Sequence, residues 1–436
     1  MQNEQRKPLI LRGARQVGKT TLVRQFAKKY KHSIFLNLEK KADKRWFEEF
    51  DDVKVIMEAL LIKYNISSKD IHKTLLFLDE IQESPKAIQL LRYFYEEIHE
   101  LHIIAADSLL QFAMRKVKSY PVGRVEYLNL YPLNFSEYLG AINHQAAIDQ
   151  LNKIPVNHVA HKTLLDLFNH YAIVGGMPEV IRTYLLTKSM SDLPRVYESI
   201  WGTYQNNVVK YTSNETERKI IKHIISTAHL YVDQRIKFQN FGNSNYRSRE
   251  VGEGMRNLDN AKIIQLIYPT TSIQPPLKTD IKKSPKLQFL DTGILNYSLN
   301  IQADMLGISD LSSTFKGAII PHIIYQELLS LNTIKQNNPP FWVREKKQSS
   351  AEVDIILTHK NMAIPVEIKS GSTGKLRSLH QFMDLCPHYY AIRIYGGDYK
   401  VQKIKTPSGK PFFLMNLPYY LGTKIPGYID YFISNY

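Results

Sequence analysis

Short apolar runs recur along the first 131 residues, and stretches with helical spacing lie between them. Continuous apolar runs of strand length are typical of parallel strands that are buried on both faces of a sheet. Because such runs alternate with helical stretches, the pattern predicts a five-stranded α/β sheet with helices between its strands. The predicted strands are residues 8–12, 33–38, 75–78, 101–106 and 125–131.

The hydrophobic pattern changes after this sheet. A helical pattern from Asn134 to about Lys210 predicts a helical lid. Residues 215–268 have the element order of a winged helix-turn-helix, namely helix, short helix, helix and strand. From Phe315 onward a helix precedes several strands, which predicts an α/β domain. The predicted domains are an α/β core (1–133), a lid (134–212), a winged helix-turn-helix (213–285) and a C-terminal domain (286–436).

A glycine-rich loop joins the first strand to a helix that begins at Lys19. Its glycines let the backbone curl so that several N–H groups and the helix N-terminus face bound phosphates. Lys19 is expected to reach the β and γ phosphates of ATP, and the Thr20 hydroxyl to bind Mg²⁺. The helix is predicted to place Leu22, Val23 and Phe26 on one face. The residues predicted to bind the cofactor are Gly13, Ala14, Arg15, Gln16, Val17, Gly18, Lys19, Thr20 and Thr21, of which the first eight match G-x-x-x-x-G-K-[ST].

Two acidic residues, Asp79 and Glu80, directly follow the apolar run 75–78. At the carboxyl end of a parallel strand, Asp79 is placed to hold the magnesium shell and Glu80 to polarise the attacking water. A glutamate in this place favours hydrolysis of ATP over binding alone. The sequence therefore predicts a P-loop ATPase whose cofactors are ATP and Mg²⁺.

Composition adds a preference for a polyanionic partner. The 436 residues include 57 Lys and Arg against 41 Asp and Glu, a formal net charge of +16. A surplus of this size attracts nucleic acid, although basic residues spread along a chain also keep its surface solvated. The sequence has no apolar run near the roughly 20 residues of a bilayer span, and its N-terminus lacks the plan of a signal peptide. With a single cysteine, Cys386, we predict a cytoplasmic protein without internal disulfides or a membrane partner.

Four segments together resemble a large prokaryotic family of AAA-type ATPases, in which a C-terminal domain of unknown function follows the ATPase module. The segments are GARQVGKTTL, LLFLDEIQESPKAIQLLRYFYEE, IIAADSLL and PVGRVEYLNLYPLNFSEYL. The resemblance implies that Ser108 is the polar sensor of the γ-phosphate, and that Arg124 completes the site of a neighbouring subunit in a homo-oligomer. A surface ion pair is the alternative role for Arg124. One position departs from the family, because Asp107 stands where a glycine usually precedes the sensor serine.

The residues Asp354, Glu367 and Lys369 form a D…E-x-K pattern in the C-terminal strands. Side chains repeat every second residue along a strand, so Glu367 and Lys369 share a face, and a hairpin through residues 359–361 brings Asp354 beside them. The pattern is similar to the PD-(D/E)XK nuclease superfamily, which implies that the two carboxylates hold Mg²⁺ and the lysine positions water. Cross-strand ion pairs are the alternative. The preceding helix has Pro321 where the resembling family has a glutamate, so we predict a nuclease-like fold and keep cleavage as a secondary hypothesis.

Three arginines, Arg247, Arg249 and Arg256, lie in or next to the second helix of the predicted winged motif and are expected to contact phosphates of double-stranded DNA. Winged helices also pack against proteins, so a protein partner is the alternative. Our main interpretation is an AAA-type protein that hydrolyses ATP and couples its nucleotide state to DNA or to a partner. Two other hypotheses stay open: an ATP-gated metal-dependent DNA nuclease, and a nucleotide-responsive regulatory module without catalysis. Relatives usually carry a helical segment before the first strand, so a shortened N-terminus is one interpretation of this sequence.

Overall fold

The computed structural model divides into two compact units. One consists of Met1–Tyr131 with the short segments Asn260–Lys262 and Thr333–Gln336, and the other contains the rest of the chain. The described residues are 6–107, 121, 123–208, 212, 214–302, 317–334, 338–344, 351–369 and 376–436.

A five-stranded parallel sheet forms the centre of the first unit, with the strand order β2-β3-β4-β1-β5. Every neighbouring pair in it is parallel. The predicted α/β sheet is therefore confirmed. Its strands are β1 (Leu9–Arg12), β2 (His32–Asn37), β3 (Thr74–Asp79), β4 (His102–Asp107) and β5 (Glu126–Asn129).

Helices cover both faces of this sheet, which explains the continuous apolar runs of its strands. Along β3, Leu76 and Leu78 pack into one cluster of buried residues, whereas Leu75 and Phe77 pack into another. The helices are α1 (Lys19–Ala27), α2 (Lys41–Glu49), α3 (Val53–Lys63) and α4 (Pro85–Glu97), with 3₁₀ turns at Ser68–Lys73 and Ile81–Glu83.

The predicted apolar face of α1 is wrong in two of its three positions. Val23 is buried, but Leu22 and Phe26 are 40% and 39% exposed. The buried residues of the helix are Lys19, Val23 and Ala27, which are spaced four residues apart. Because residues at i and i+4 share one face, burial of Lys19 places Val23 and Ala27 inward as well.

The second unit begins with helices, as the helical pattern after Asn134 predicts. A glycine pair between α7 and α8 makes a tight turn, in which Gly175 has a φ of 73°. The Gly176 N–H donates to Oδ2 of the buried Asp291 at 2.6 Å, and the Ile294 N–H donates to its Oδ1 at 3.0 Å. This part of the unit contains α5 (Phe135–Ala141), α6 (Gln145–Leu151), α7 (His161–Val174), α8 (Pro178–Thr187) and α9 (Leu193–Val208), with 3₁₀ turns at His158–Ala160 and Met190–Asp192.

The segment predicted as a winged helix-turn-helix, taken together with the strand that directly follows it, contains two helices, two 3₁₀ turns and an antiparallel strand pair in its described residues. Arg247, Arg249 and Arg256 are exposed there. The element order agrees with the pattern in the sequence, and the assignment as a winged helix stays a prediction. Its elements are α10 (Glu215–Ala228), the turns His229–Tyr231 and Phe241–Asn243, α11 (Ser248–Asn260), β6 (Ile264–Ile267) and β8 (Lys286–Phe289).

The C-terminal part of the second unit contains a mixed five-stranded sheet in the order β11-β12-β13-β15-β14. The predicted hairpin is present, because β11 and β12 pair antiparallel across Lys360 and Asn361, and Lys360 has a φ of 50°. A three-stranded sheet in the order β10-β9-β7 lies in the same unit. The strands are β7 (Pro269–Thr270), β9 (Phe341–Val343), β10 (Glu352–Val353), β11 (Ile355–His359), β12 (Met362–Ile368), β13 (Tyr390–Tyr395), β14 (Lys400–Lys405) and β15 (Pro411–Pro418).

Four further helices lie in the described residues of this unit. The division of the chain into four domains stays a prediction, because the last three of them fall almost wholly in one compact unit. Within the described parts of the chain, no helix has the length and apolar character that a membrane span requires. The remaining helices are α12 (Thr292–Ser298), α13 (Ile319–Ser330), α14 (Arg377–Leu385) and α15 (Ile425–Asn435), with a 3₁₀ turn at Tyr419–Lys424.

Candidate nucleotide-binding site

A curled loop connects β1 to α1, and we refer to residues 13–20 as the phosphate loop. Gln16 and Gly18 both have positive φ angles, of 65° and 94°. A side chain at Gly13 would clash with the backbone carbonyl oxygen of Leu130, which lies just beyond β5. The loop therefore needs its first glycine for a close backbone approach and its second for a left-handed conformation. Consecutive N–H groups in such a curled loop form a concave site for anions.

The Lys19 side chain is folded over this loop. Its Nζ donates to the carbonyl oxygens of Gly13 at 2.8 Å and of Ala14 at 2.9 Å. Burial lowers the pKa of Lys19, while the carboxylates of Glu80 and Asp107 act to raise it. The ammonium is thus held beside the loop by two carbonyl groups that phosphate oxygens can replace.

Thr20 and Asp79 form the part of the site that suits a magnesium ion. The Thr20 hydroxyl donates to Asp79 Oδ2 at 2.9 Å, and the Glu80 N–H donates to Asp79 Oδ1 at 3.2 Å. Burial raises the pKa of Asp79, while the Thr20 hydrogen bond lowers it. A hydroxyl and a carboxylate at this distance are hard oxygen donors of the kind that Mg²⁺ prefers, so both predicted ligands fit the ion.

Glu80 adopts a left-handed backbone conformation, with a φ of 52°, directly after β3. Its Oε2 accepts a hydrogen bond from Gln82 Nε2 and lies 3.8 Å from Arg15 Nη2. Arg15 also pairs with Glu39 at 3.5 Å. The predicted water-polarising carboxylate is therefore in contact with a side chain of the phosphate loop itself.

Two of these contacts could not be predicted from the motifs. Arg15 occupies a variable position of the loop pattern, and Gln82 lies in the 3₁₀ turn Ile81–Glu83, outside either motif. The signal for Gln82 was weak, since it is one polar residue in a short helical turn. Gln82 can contact the Glu80 side chain because Glu80 itself has a left-handed backbone conformation, which turns the chain back after β3.

The other predicted residues of this unit have different outcomes. Asp107 ends β4 and is 3% exposed, and it is close enough to act on the pKa of Lys19. Ser108, the predicted sensor, lies outside the described residues. Arg124 Nε donates to Glu96 Oε1 at 2.8 Å, and this contact raises the pKa of Arg124. The ion pair is the alternative that the sequence left open, and a role of Arg124 in a neighbouring subunit stays a prediction.

The predicted residues of the C-terminal strands lie close together. Lys369 Nζ is 2.6 Å from Glu367 Oε1, and Asp354 Oδ2 accepts the Ile368 N–H at 2.8 Å. Burial, together with the charge of Asp354, raises the pKa of Glu367 to about 8. Lys286, which the sequence did not indicate, enters this group and lies 3.4 Å from Asp354 Oδ1.

These C-terminal residues do not fit a resident metal ion. Both oxygens of Asp354 face nitrogen groups, one from the backbone and one from Lys286. In the described ranges, no group of three or more His, Cys, Asp or Glu side chains is arranged to hold a metal. Glu327, the acidic residue of the preceding helix α13, has its partners outside this group. Its Oε1 accepts hydrogen bonds from the Phe135 N–H and the Tyr171 hydroxyl.

The loop, the parallel sheet and the acidic end of β3 define the first unit as a P-loop nucleotide-binding domain. Residues 5–139, which include nearly all of this unit, match the family model described as AAA domain. Two further models, both described as domains of unknown function, match residues 165–305 (DUF8612) and residues 316–418 (DUF4143).

Solved structures similar to the chain include the following two. One is a Signal Transduction ATPase with Numerous Domains (STAND) protein with a tetratricopeptide repeat sensor from Pyrococcus horikoshii, at 12% identity and a TM-score of 0.28. The match covers 75% of this chain and 46% of that one, so the chain spans less than half of that relative. The other is Drosophila ORC bound to DNA, at 14% identity and a TM-score of 0.24, covering 61% of this chain and 84% of that one. Comparison with curated proteins gave no match.

Proposed function

We propose that the first unit binds ATP with Mg²⁺ and hydrolyses it. The observation that carries this proposal is the contact of Thr20 with Asp79 at 2.9 Å, next to the buried ammonium of Lys19. An oxygen pair for the metal and a cation for the phosphates therefore lie at one end of the sheet. Bound Mg²⁺ would neutralise charge on the β and γ phosphates.

The chemistry assigned to the residues follows from their positions. Lys19 exchanges its two carbonyl partners for oxygens of the β and γ phosphates. Glu80 accepts a proton from water while the water oxygen bonds to the γ phosphorus. The bond from that phosphorus to the β–γ bridging oxygen breaks, and ADP and inorganic phosphate leave. Contact with Arg15 and Gln82 orients Glu80 before ATP is bound.

Two variants test this assignment. Lys19→Ala is expected to lose ATP binding, and Glu80→Gln to keep ATP binding while phosphate release falls about 10²–10⁴-fold, the usual contribution of a general base. Lys28→Ala serves as a control, because Lys28 is an exposed lysine just after α1. Binding is measured with a fluorescent ATP analogue and turnover by phosphate release. Normal turnover in Lys19→Ala or Glu80→Gln would rule out the proposal, and ATP binding without turnover in the unmodified protein would favour the non-catalytic module.

We also propose that the segment predicted as a winged helix contacts DNA, and that the nucleotide state controls this contact. Support comes from the exposure of Arg247, Arg249 and Arg256 and from the net charge of +16. Arg249 is 90% exposed in its side chain and lies 3.7 Å from Glu253 in a long ion pair. Long exposed arginines beside one helix are suited to backbone phosphates.

Salt dependence separates DNA contact from packing against a protein. Replacing all three arginines by alanine should reduce the slope of log K against log salt concentration by about 2.7, because each phosphate that an arginine neutralises adds about 0.9 to this slope. Arg182→Ala is a matched control, since Arg182 is also a helical arginine, 70% exposed and paired with Glu179 at 3.5 Å. An unchanged slope, or an equal change in Arg182→Ala, would contradict DNA contact at this helix and favour a protein partner.

A further inference from the structure

A lysine lies among three carboxylates that come from two separate segments of the second unit. We call Lys286 and its three acidic neighbours, Asp233, Glu352 and Asp354, the Lys286 cluster. Asp233 follows the 3₁₀ turn His229–Tyr231, and Lys286 is the first residue of β8. Glu352 opens β10, and Asp354 lies between β10 and β11.

The ammonium of Lys286 is within ion-pair distance of three carboxylates. Its Nζ lies 2.9 Å from Glu352 Oε1, 3.4 Å from Asp354 Oδ1 and 3.8 Å from Asp233 Oδ1. The Lys286 side chain is only 7% exposed, and its Nζ lies 5.4 Å from the centre of the Phe341 ring. A cation is thus already enclosed at the point where the carboxylates converge.

Other nitrogen donors also contact these carboxylates. Asp354 Oδ2 accepts the Ile368 N–H at 2.8 Å, and Asp233 Oδ1 accepts Gln288 Nε2 at 2.8 Å. A magnesium or manganese ion needs oxygen ligands at about 2.0–2.2 Å and strongly repels an ammonium at the same place. The distances from Nζ to the carboxylate oxygens, and the nitrogen donors that also contact these oxygens, agree with an enclosed ammonium and not with a divalent ion.

Electrostatics supports a charged lysine here. Burial acts to lower the pKa of Lys286, but the carboxylates of Asp233, Asp354 and Glu352 outweigh it, so this pKa is raised. Lys286 also acts to lower the pKa of the buried Glu367 beyond the cluster. Its positive charge therefore acts on both carboxylates of the D…E-x-K group.

We propose that the Lys286 ammonium takes the place of the metal ion in this nuclease-like sheet. Asp354 binds no divalent cation in the unmodified protein, and DNA is not cleaved there. The cluster instead ties β8, after the predicted winged segment, to the strands that carry Glu352 and Asp354. Removal of this single positive charge leaves three converging carboxylates and creates a site for a divalent cation.

The experiment is a Mn²⁺ titration of the full chain without nucleotide, in which binding is measured by calorimetry and by electron paramagnetic resonance. Lys286→Ala removes the charge and empties the space that the ammonium occupies between the carboxylates. It is expected to bind one additional Mn²⁺ that does not bind to the double variant Lys286→Ala/Asp354→Asn. At a Mn²⁺ concentration 100 times the Kd, the unfolding constant of Lys286→Ala should fall about 100-fold. Lys283→Ala is the matched control, because Lys283 lies three residues away in the chain and pairs with Asp280 at 3.9 Å.

Each outcome decides the proposal. Mn²⁺ binding, or cleavage of supercoiled plasmid, that is present in the unmodified protein and absent in Asp354→Asn would overturn it. A folded Lys286→Ala protein without the additional Mn²⁺ would overturn it as well. If Lys286→Ala folds only when Mn²⁺ is added, the proposal is supported. If it never folds, equal Mn²⁺ titrations of the unmodified protein and Asp354→Asn support the proposal, and a deficit in Asp354→Asn contradicts it.

Discussion

Glu327 makes the stability of the second unit dependent on pH. Its side chain is fully buried on α13, and its Oε1 accepts hydrogen bonds from the Phe135 N–H and the Tyr171 hydroxyl, both at 2.9 Å. Burial raises its pKa to about 8, while these hydrogen bonds and the charge of Lys424 act to lower it and the charge of Glu137 to raise it. The carboxyl group is therefore neutral in the folded protein at pH 7.

The sign and size of this pH dependence follow from the linkage between proton binding by Glu327 and folding. Because the folded pKa is raised above the unfolded value of 4.5, the stabilisation is complete below pH 4.5 and is lost as the pH rises toward 8. Each pKa unit corresponds to about 1.4 kcal/mol, so the loss across this range is about 5 kcal/mol. Glu327→Gln has no proton to lose. The stability of this variant minus that of the unmodified protein should rise by about 1.4 kcal/mol per pH unit over the same range.

Hydrogen exchange measured by mass spectrometry at increasing urea tests this prediction locally. Peptides from α13 report the opening free energy of the unit that holds Glu327, without assuming that the whole chain unfolds in one step. Measurements at pH 5, 6, 7 and 8, corrected for intrinsic exchange rates, give the difference between the two proteins. Glu179→Gln serves as an exposed control that should follow the unmodified protein. Parallel pH profiles for Glu327→Gln and the unmodified protein would refute the reasoning.

Three further predictions concern substitutions in the second unit, and thermal melting can measure each of them. Gly176→Ala would place a methyl group against the backbone of Leu133 and should cost about 1–3 kcal/mol or more, whereas Gly140→Ala, in α5 with open space around it, should add about 0.5–1 kcal/mol. Tyr197→Phe removes a buried hydroxyl that donates to the last carbonyl of α7 at 2.7 Å and should cost about 0.5–1.5 kcal/mol. Burial lowers the pKa of His322 to about 3, so its contribution to stability is present above pH 6.5 and is lost toward pH 3, and His322→Gln should flatten the melting profile in that range.

The phosphate loop was predictable because its chemistry and its backbone geometry lie in one short segment. Gly13 and Gly18 are needed for the conformation of the loop, and Lys19 and Thr20 follow directly on α1. The buried face of α1 was predicted less well. Leu22 and Phe26 look apolar in the sequence, but burial of Lys19 beside the carbonyls rotates the helix so that they are partly exposed. Burial of the first residue of the helix thus overrode the hydrophobic pattern.

The group of Asp354, Glu367 and Lys369 shows a different limit of prediction from the sequence. Alternation along β12 correctly placed Glu367 and Lys369 on one face, and the hairpin brought Asp354 beside them. Lys286 comes from a strand 68 residues earlier in the chain than Asp354, and no local pattern connects the two. Long-range pairing of this kind is visible only once the strands are assembled.

Whether a group of carboxylates can bind a divalent ion depends on which positive charge already lies among them. The pattern of Asp354, Glu367 and Lys369 is compatible with a metal-dependent nuclease, but the pattern does not contain the residue that balances its charge. With Lys286 enclosed by three carboxylates, the attraction that would hold a divalent ion is already satisfied within the chain. A D…E-x-K pattern of this kind can therefore lack a metal ion because of one lysine outside the pattern. For this reason the phosphate loop, whose oxygen donor Thr20 is in direct contact with Asp79, is the better candidate for metal-dependent chemistry in this protein.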